Sequence, residues 1–472
     1  MRRLFTFHFS LFTSKIALLS VALFLLPWQT HLLLFDGTIL GGDAVSPFTS
    51  IKIYAVEVIV LLAGIIVLAV KKERPTIDAT YRKPIALACG VFIITALSTL
   101  WSVSYPVSLG ALLHVGVAML FFVLMLDKKL TLRPLLFAFG AGLVVPSLLG
   151  VWQVLADASP ASTLLGLAER SAATLGDAVT IAADGTRQLR AYGSFSHPNV
   201  FGGYLAVGVL AMLAFVRRDK NSIVIPTLPN VRAGFGGTPS MRSLGVGLLG
   251  MTTVILLITL IFTASRSAML GLLLGVGLAV LVAKMSGGAG SGSAGKSTAM
   301  ARIVVIPIAA AVIGCTLLAV LFVPNIIASL RGGGVTEDRS LIERIAQYDS
   351  YPLVVDAPWL HGHGVGAYTI AAYEARTCTG WDCQPIHNVP MLIVGELGVL
   401  GLIVVLAWST SIDRINFARF PNRDALVAFA MGNVVLVVLF FDHYLWSSWS
   451  GLALIAFVMA LTVRMGENNV VT

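Results

Sequence analysis

The sequence predicts an all-α, polytopic integral membrane protein, and three observations carry that expectation. Hydrophobic residues make up 57% of the 472 and charged residues only 12%, against about 25% charge in ordinary soluble chains. The apolar residues come in runs of about 20, enough for a helix to cross about 30 Å of hydrocarbon. The basic residues fall on alternate connections between those runs. Strands of a membrane barrel would instead alternate over about ten residues. A segment in lipid must satisfy its own backbone groups, which selects helices.

About twelve transmembrane helices are expected, at roughly 16–34, 52–70, 84–101, 106–126, 134–155, 198–216, 244–263, 267–283, 303–323, 388–408, 424–441 and 445–463. The start, Met1-Arg2-Arg3 before an apolar run, has the look of a signal peptide. No small-residue cleavage site follows Ile16–Leu26, so the run is read as the first retained span. Basic clusters at Arg2, Arg3 and Lys15, at Lys71 to Lys83, at Lys128 to Arg133, at Arg217 to Arg242, at Lys284 to Arg302, at Arg414 to Arg423 and at Arg464 mark one side. The positive-inside bias makes that side cytoplasmic, with both termini there, in the inner membrane. The net charge of +9 is thereby assigned to cytoplasmic loops, and no nucleic-acid partner is expected. The whole chain, 1–472, reads as a single polytopic membrane domain without internal repeats.

Two long loops fall on the other, extracytoplasmic side, at 156–197 and 324–387; the larger is expected to contain short helices and to carry the chemistry. Two cytoplasmic connections, 217–243 and 284–302, have flexible compositions, the second rich in Gly and Ser. Gly290 through Ser297 satisfies the phosphate-loop pattern. That loop works only between a strand and a helix of an α/β domain, so here it reads as a tether.

The external side concentrates residues with chemical uses. Arg190-Ala191-Tyr192-Gly193-Ser194-Phe195-Ser196-His197-Pro198-Asn199 leads into the sixth span, and Ser265-Arg266-Ser267 occupies the tight turn between the seventh and eighth. A cation so close to two apolar runs is costly; it either snorkels or holds an anion. In Glu337-Asp338-Arg339-Ser340-Leu341-Ile342-Glu343-Arg344 the charges have helical spacing, which suits a solvated surface helix. The glycines of His361-Gly362-His363-Gly364-Val365-Gly366-Ala367-Tyr368 permit a tight backbone path. The loop closes at His387-Asn388, directly before span ten with its Glu396. For the cysteines two readings stand. Zinc would use His361, His363, Cys378, Cys383 and His387, at the edge of structural-site spacing. A Cys378–Cys383 disulfide suits an oxidising external compartment better. Cys89 and Cys315 lie in spans and read as packing residues.

These pieces, in this order and with a large external loop before a late His, resemble the O-antigen ligase and O-antigen polymerase superfamily of bacterial membrane glycosyltransferases. The motif similarity covers roughly 180–405; over the N-terminal spans it is architectural. The resemblance implies a glycan donor on a polyprenyl diphosphate lipid, and a hydroxyl acceptor on a glycan, lipid or protein. Transfer would need no metal and no other cofactor. It implies that Arg190 and Arg266 hold the diphosphate, with Arg339 and Arg344 as further candidates, and that His387 activates the acceptor. His197, Asn199, His361, His363 and Asn388 are left as acceptor-contacting or loop-shaping residues. The chemistry agrees with the residue types. Arg is always charged and grips phosphate bidentately, and His ionises near neutral pH. Two other classes compete. A transporter or flippase should show polar or broken spans at the midplane, where only Glu57 and His114 stand out. A scaffold would need none of the Arg and His constellation.

Overall fold

The computed structural model describes residues 14–41, 45–181, 185–215, 217–219, 222–224, 241–287 and 335–467. Among the described residues helices dominate, accompanied by four two-stranded antiparallel pairs. Among the described residues seven helices are long and apolar enough to cross a membrane: Ala79–Trp101, Tyr105–Met125, Leu132–Ala156, Pro198–Phe215, Arg266–Met285, Val389–Phe417 and Arg423–Phe441. Four shorter apolar helices, Lys15–Leu25, Ala55–Ala69, Leu249–Phe262 and Trp449–Arg464, accompany them. The expected span at 303–323, Cys315 and the phosphate-loop-like stretch at 290–297 lie outside the described residues.

The first two expected spans differ from expectation. The first helix stops at Leu25, just before Pro27, which has no N–H to continue it. The apolar run beyond becomes a strand, His31–Phe35, paired antiparallel with Ile51–Tyr54 ahead of the second helix. A short apolar run fits a strand or a helix equally well, and here the proline decides. The 156–197 segment is likewise built from small strand pairs, Ala158–Ser159 with Arg170–Ser171 and Val179–Ile181 with Arg187–Leu189. In 324–387 the charged stretch is helical, over Val335–Val355, followed by the short helix Tyr368–Glu374.

Pro198–Phe215 is the central helix, buried on nearly every side, as a helix apolar all round must be. Outer helices present lipid-type surface outward, with Leu68, Leu155 and Met251 exposed. Small residues bring helices close: a Cβ on Gly271 or Gly275 would meet the backbone of Val434 or Ala430 on Arg423–Phe441.

The helix Val389–Phe417 is broken at Gly398, whose φ is +71°. The break is filled by the His361–Gly366 loop, main chain against main chain. His363 N donates to Gly395 O at 2.9 Å, Gly364 N to Glu396 O at 2.9 Å, and Val399 N to Trp359 O at 2.9 Å. A side chain on Gly362 would strike the backbone of Glu396 and Leu397, and one on Gly398 the backbone of Leu360 and His361. The glycines do permit a tight path, as expected, but the path follows the helix backbone.

Candidate active site

Four segments distant in sequence meet at one end of the helices: 190–199, 263–266, 347–387 and 442–449. The first is shaped by buried Gln153, whose Oε1 accepts Tyr192 N at 3.0 Å and Gly193 N at 2.8 Å. Gly193 adopts φ +57° there, a conformation that suits glycine. Arg190 is thereby aimed at the turn between two helices, with Nε donating to Thr263 O at 2.7 Å. Arg266 heads the next helix, exposed, three residues beyond Thr263. The two arginines therefore flank one turn.

Arg190 also donates to Asn199 Oδ1 at 2.7 Å, and Asn199 Nδ2 donates to Asp442 Oδ2 at 2.8 Å. Asp442 is buried and its Oδ1 accepts His443 N at 2.8 Å. His387 and His443 lie with ring centres 5.1 Å apart. His443 Nδ1 pairs with Ser447 Oγ at 2.7 Å. Asn199 thus bridges the arginine turn to a carboxylate–imidazole cluster.

His387 is fixed by the helix Val335–Val355. Gln347 Oε1 takes the His387 backbone N–H at 3.2 Å and faces Nδ1 at 3.0 Å. An amide oxygen only accepts, so Nδ1 carries the proton and Nε2 keeps its lone pair. Asn388 is the helix cap, its Oδ1 accepting Met391 N at 3.1 Å. The polar group that the helix start needs is therefore Asn388, which leaves the His387 ring free of that duty.

The electrostatics favour neutral imidazoles. Burial lowers the His387 pKa to about 4, helped by His443 and Arg344 against the pull of Asp442 and Glu343. Burial also lowers His443. His197 borders the cavity with its ring accessible, yet sits deep enough that enclosure, then Arg190, take it to about 3. Burial alone would raise Asp442. The three histidines and the Asn199 hydrogen bond outweigh it and hold the carboxyl below its ordinary range.

The other expected site residues are placed apart or differently. His361 turns its ring towards Trp101, 5.5 Å away, and His363 Nε2 donates to Val354 O at 2.6 Å. Both shape the loop and neither joins the His387 cluster. Arg344 is half-buried with its Nε enclosed and unbonded, and its charge reaches His387 and His443. The backbone of Arg339 lies on the same helix. His197 accepts Asn199 N on Nδ1 at 3.2 Å. Cys378 and Cys383 are disulfide-bonded, which removes both sulfurs from a zinc reading. Cys89 is a free, exposed thiol on the helix surface, where a packed residue was expected.

Asp442 and His443 were not among the residues singled out from the sequence. Their signal was an Asp-His pair inside an otherwise apolar stretch, 424–463. With His387 they offer ligand atoms all within 4.8 Å of one another, a donor set that a divalent transition metal accepts. The cluster opens into a cavity of about 470 Å³. That cavity runs from His197, His387, Asp442 and His443 inward to Tyr54, His114, Glu396 and Trp449. It is of the size that takes small ligands, about 300–1,000 Å³.

Residues 251–406 match the family model of O-antigen ligase. The stretch includes Arg266, Arg344 and His387 and supports the O-antigen ligase and polymerase superfamily read from the motifs. No curated protein matches the chain. The matched stretch is thus similar to O-antigen ligase, and the long apolar helices mark an integral membrane protein.

Proposed function

We propose that the protein is a membrane glycosyltransferase that moves a glycan from a polyprenyl diphosphate carrier to an acceptor hydroxyl at the extracytoplasmic face. The observation that carries this is the junction at Asn199. It joins Arg190 to a buried carboxylate beside a histidine whose Nε2 keeps its lone pair. An anion clamp and a proton acceptor within one hydrogen-bonded chain suit displacement of a diphosphate by an alcohol.

Each side chain has a task. Arg190 and Arg266 neutralise the charge that grows on the departing diphosphate, which counts for more in a partly dry site than in water. Arg344 is a third cation near the cluster. His387 Nε2 takes the acceptor proton as the acceptor oxygen bonds to the sugar carbon, while the bond from that carbon to the diphosphate oxygen breaks. The products are the glycosylated acceptor, the lipid diphosphate and a proton on His387. Asp442 then stabilises the imidazolium. A base near pKa 4 is weak in the empty site; an incoming dianion beside it raises the pKa as it is needed. The reaction so written draws on no metal. Lipid-anchored core, protein and a second lipid-linked repeat all present the required hydroxyl, the first two for a ligase and the third for a polymerase.

The test is purified protein in detergent with a polyprenyl diphosphate oligosaccharide and each acceptor type, scored for glycan shift and released lipid diphosphate, with and without EDTA. Release of lipid diphosphate matched to glycan shift is expected, unchanged by EDTA. Loss of turnover in EDTA, restored by one cation, would give the His387, Asp442 and His443 cluster to a metal instead. A second reading, transport of the lipid-linked glycan, draws on the break at Gly398, since interrupted helices recur in transporters. There the break leaves carbonyls facing the substrate path; here the 359–364 loop covers them. Movement of glycan across proteoliposomes without release of lipid diphosphate would favour transport.

A further inference from the structure

At the inner end of the cavity lies a second constellation that the transfer chemistry leaves unused. Tyr54, at the end of the strand Ile51–Tyr54, has its ring 5.8 Å from His114, and His114 lies 6.5 Å from Trp449. All three line the cavity, as do the hydroxyl side chains Ser448 and Ser450. Glu57, 1% exposed, stands behind them. Its Oε1 lies 2.6 Å from His114 Nδ1, and its Oε2 accepts Tyr54 N at 2.8 Å. A carboxylate that takes Nδ1–H fixes the tautomer. His114 Nε2 is then left to meet a hydroxyl, which can both donate and accept.

Three classes of occupant compare unequally. A bare polyprenyl chain would strand the imidazole–carboxylate pair in hydrocarbon without hydrogen bonds, at a cost. A diphosphate would meet the Glu57 carboxylate, and the arginines that suit it flank the turn at Thr263. A neutral sugar ring meets its needs. Its C–H faces lie on aromatic rings, and its hydroxyls reach imidazole and serine, the mix of apolar wall and few aimed polar groups that pockets use. The connection to the reacting end is short. His443 and Trp449 are separated by only five residues, the short helix Tyr444–Ser447 and the extended Ser448, and both line the same cavity.

Resting on the transfer reading above, we propose that Tyr54, His114 and Trp449, with Glu57 behind, form a subsite for a neutral sugar ring of the acceptor. A ring seated there would present a hydroxyl towards His387.

The test uses the full chain in detergent and methyl glycosides of glucose, galactose and N-acetylglucosamine carrying a photoreactive diazirine. Labelled peptides are mapped by mass spectrometry. At least one glycoside should label the peptides holding His114 and Trp449, be displaced by the same unlabelled glycoside, and be unaffected by excess inorganic pyrophosphate. Trp449→Ala and His114→Ala should each reduce labelling at least tenfold. Should either fail to fold, Trp449→Phe and His114→Asn remove less and should still weaken labelling severalfold. Displacement by pyrophosphate would make this an anion site; labelling elsewhere only, or labelling untouched by the substitutions, would also overturn the proposal. Arg190→Ala separates it from the transfer reading. That variant should keep glycoside labelling while losing transfer. Absent labelling in a protein that still transfers glycan removes the subsite alone. Labelling without transfer by the unsubstituted protein removes the transfer reading.

Discussion

The helix bundle carries buried charge at both ends, and the two ends treat it oppositely. At the end away from the cavity, Lys15 is ion-paired with Asp127, both enclosed, and Asp127 Oδ1 also accepts Thr76 N at 2.7 Å. Arg464, fully buried, donates to Met125 O at 3.2 Å and Leu130 O at 2.7 Å. Cation meets anion or carbonyl there, inside well-packed protein. At the cavity end Asp442 is also buried, but it faces three imidazoles and an amide, and Asn199 links it by hydrogen bonds to Arg190. Breaking a closed ion pair costs stability. A carboxylate among neutral histidines keeps them able to take a proton. The difference separates a latch from the proposed reactive site, although both are buried charge within one helix bundle.

The sharpest way to break this contrast is at His387. His387→Ala should lower transfer about 10²–10⁴-fold, the usual worth of a general base, while lipid diphosphate still binds. His387→Gln should be nearly as poor; near-normal turnover there would leave the residue only a positional role. Next is the clamp. Arg190→Ala should cost about 10²–10³-fold, as for other donors aimed at developing charge, and Arg190→Lys should recover only part of it. Full activity in this variant and in Arg266→Ala would mean that the anion is held elsewhere. Asp442→Asn is expected to lose about 10–10²-fold, from a base no longer supported by its neighbouring charge. The smallest effect on transfer should come from the far end. Lys15→Met leaves Asp127 charged and unpaired, costing about 3–5 kcal/mol of stability, with turnover per folded molecule unchanged. A thermal-shift and activity pair of measurements on these variants distinguishes latch from site.

The pH profile sharpens the same contrast. With its pKa lowered to about 4, His387 is neutral at pH 7, and an unperturbed His would titrate near 6.5. The acid limb of kcat/KM, which reports the free enzyme, should therefore fall near pH 4, well below 6.5. The limb of kcat should lie higher, because the bound donor is anionic. In stability the sign is that of a depressed histidine. The unfolded chain binds protons as pH drops below about 6.5, before the folded one does, so stability declines from there down to about pH 4. A kcat/KM limb near 6.5 would show that burial does not govern this residue.

The sequence exposed some of this and concealed the rest for identifiable reasons. The apolar runs, Arg190, Arg266 and His387 were legible because each lies beside a span boundary, where a charge stands out. The Cys378–Cys383 pairing followed from spacing and compartment. Asp442 and His443 escaped notice because they sit at the end of a strongly apolar helix, 55 residues beyond His387, and only packing brings them together. The strand at His31–Phe35 was hidden because its four apolar residues in a row carry no period. Asn199 was noticed, but its use as a bridge depends on Arg190 and Asp442 both being within reach. Glu57 and His114 stood out in the sequence as ionisable residues in spans, yet nothing there indicated that they pair beside a cavity.

The break at Gly398 bears on how this region tolerates divergence. Its register with the 359–364 loop is set by amide and carbonyl groups, which every residue but proline supplies. Those hydrogen bonds involve no side chain, whereas any β-carbon at Gly362 or Gly398 drives the two backbones apart. Two glycines 36 positions apart therefore form one mutational unit, and a change at either displaces the chain that leads on to His387.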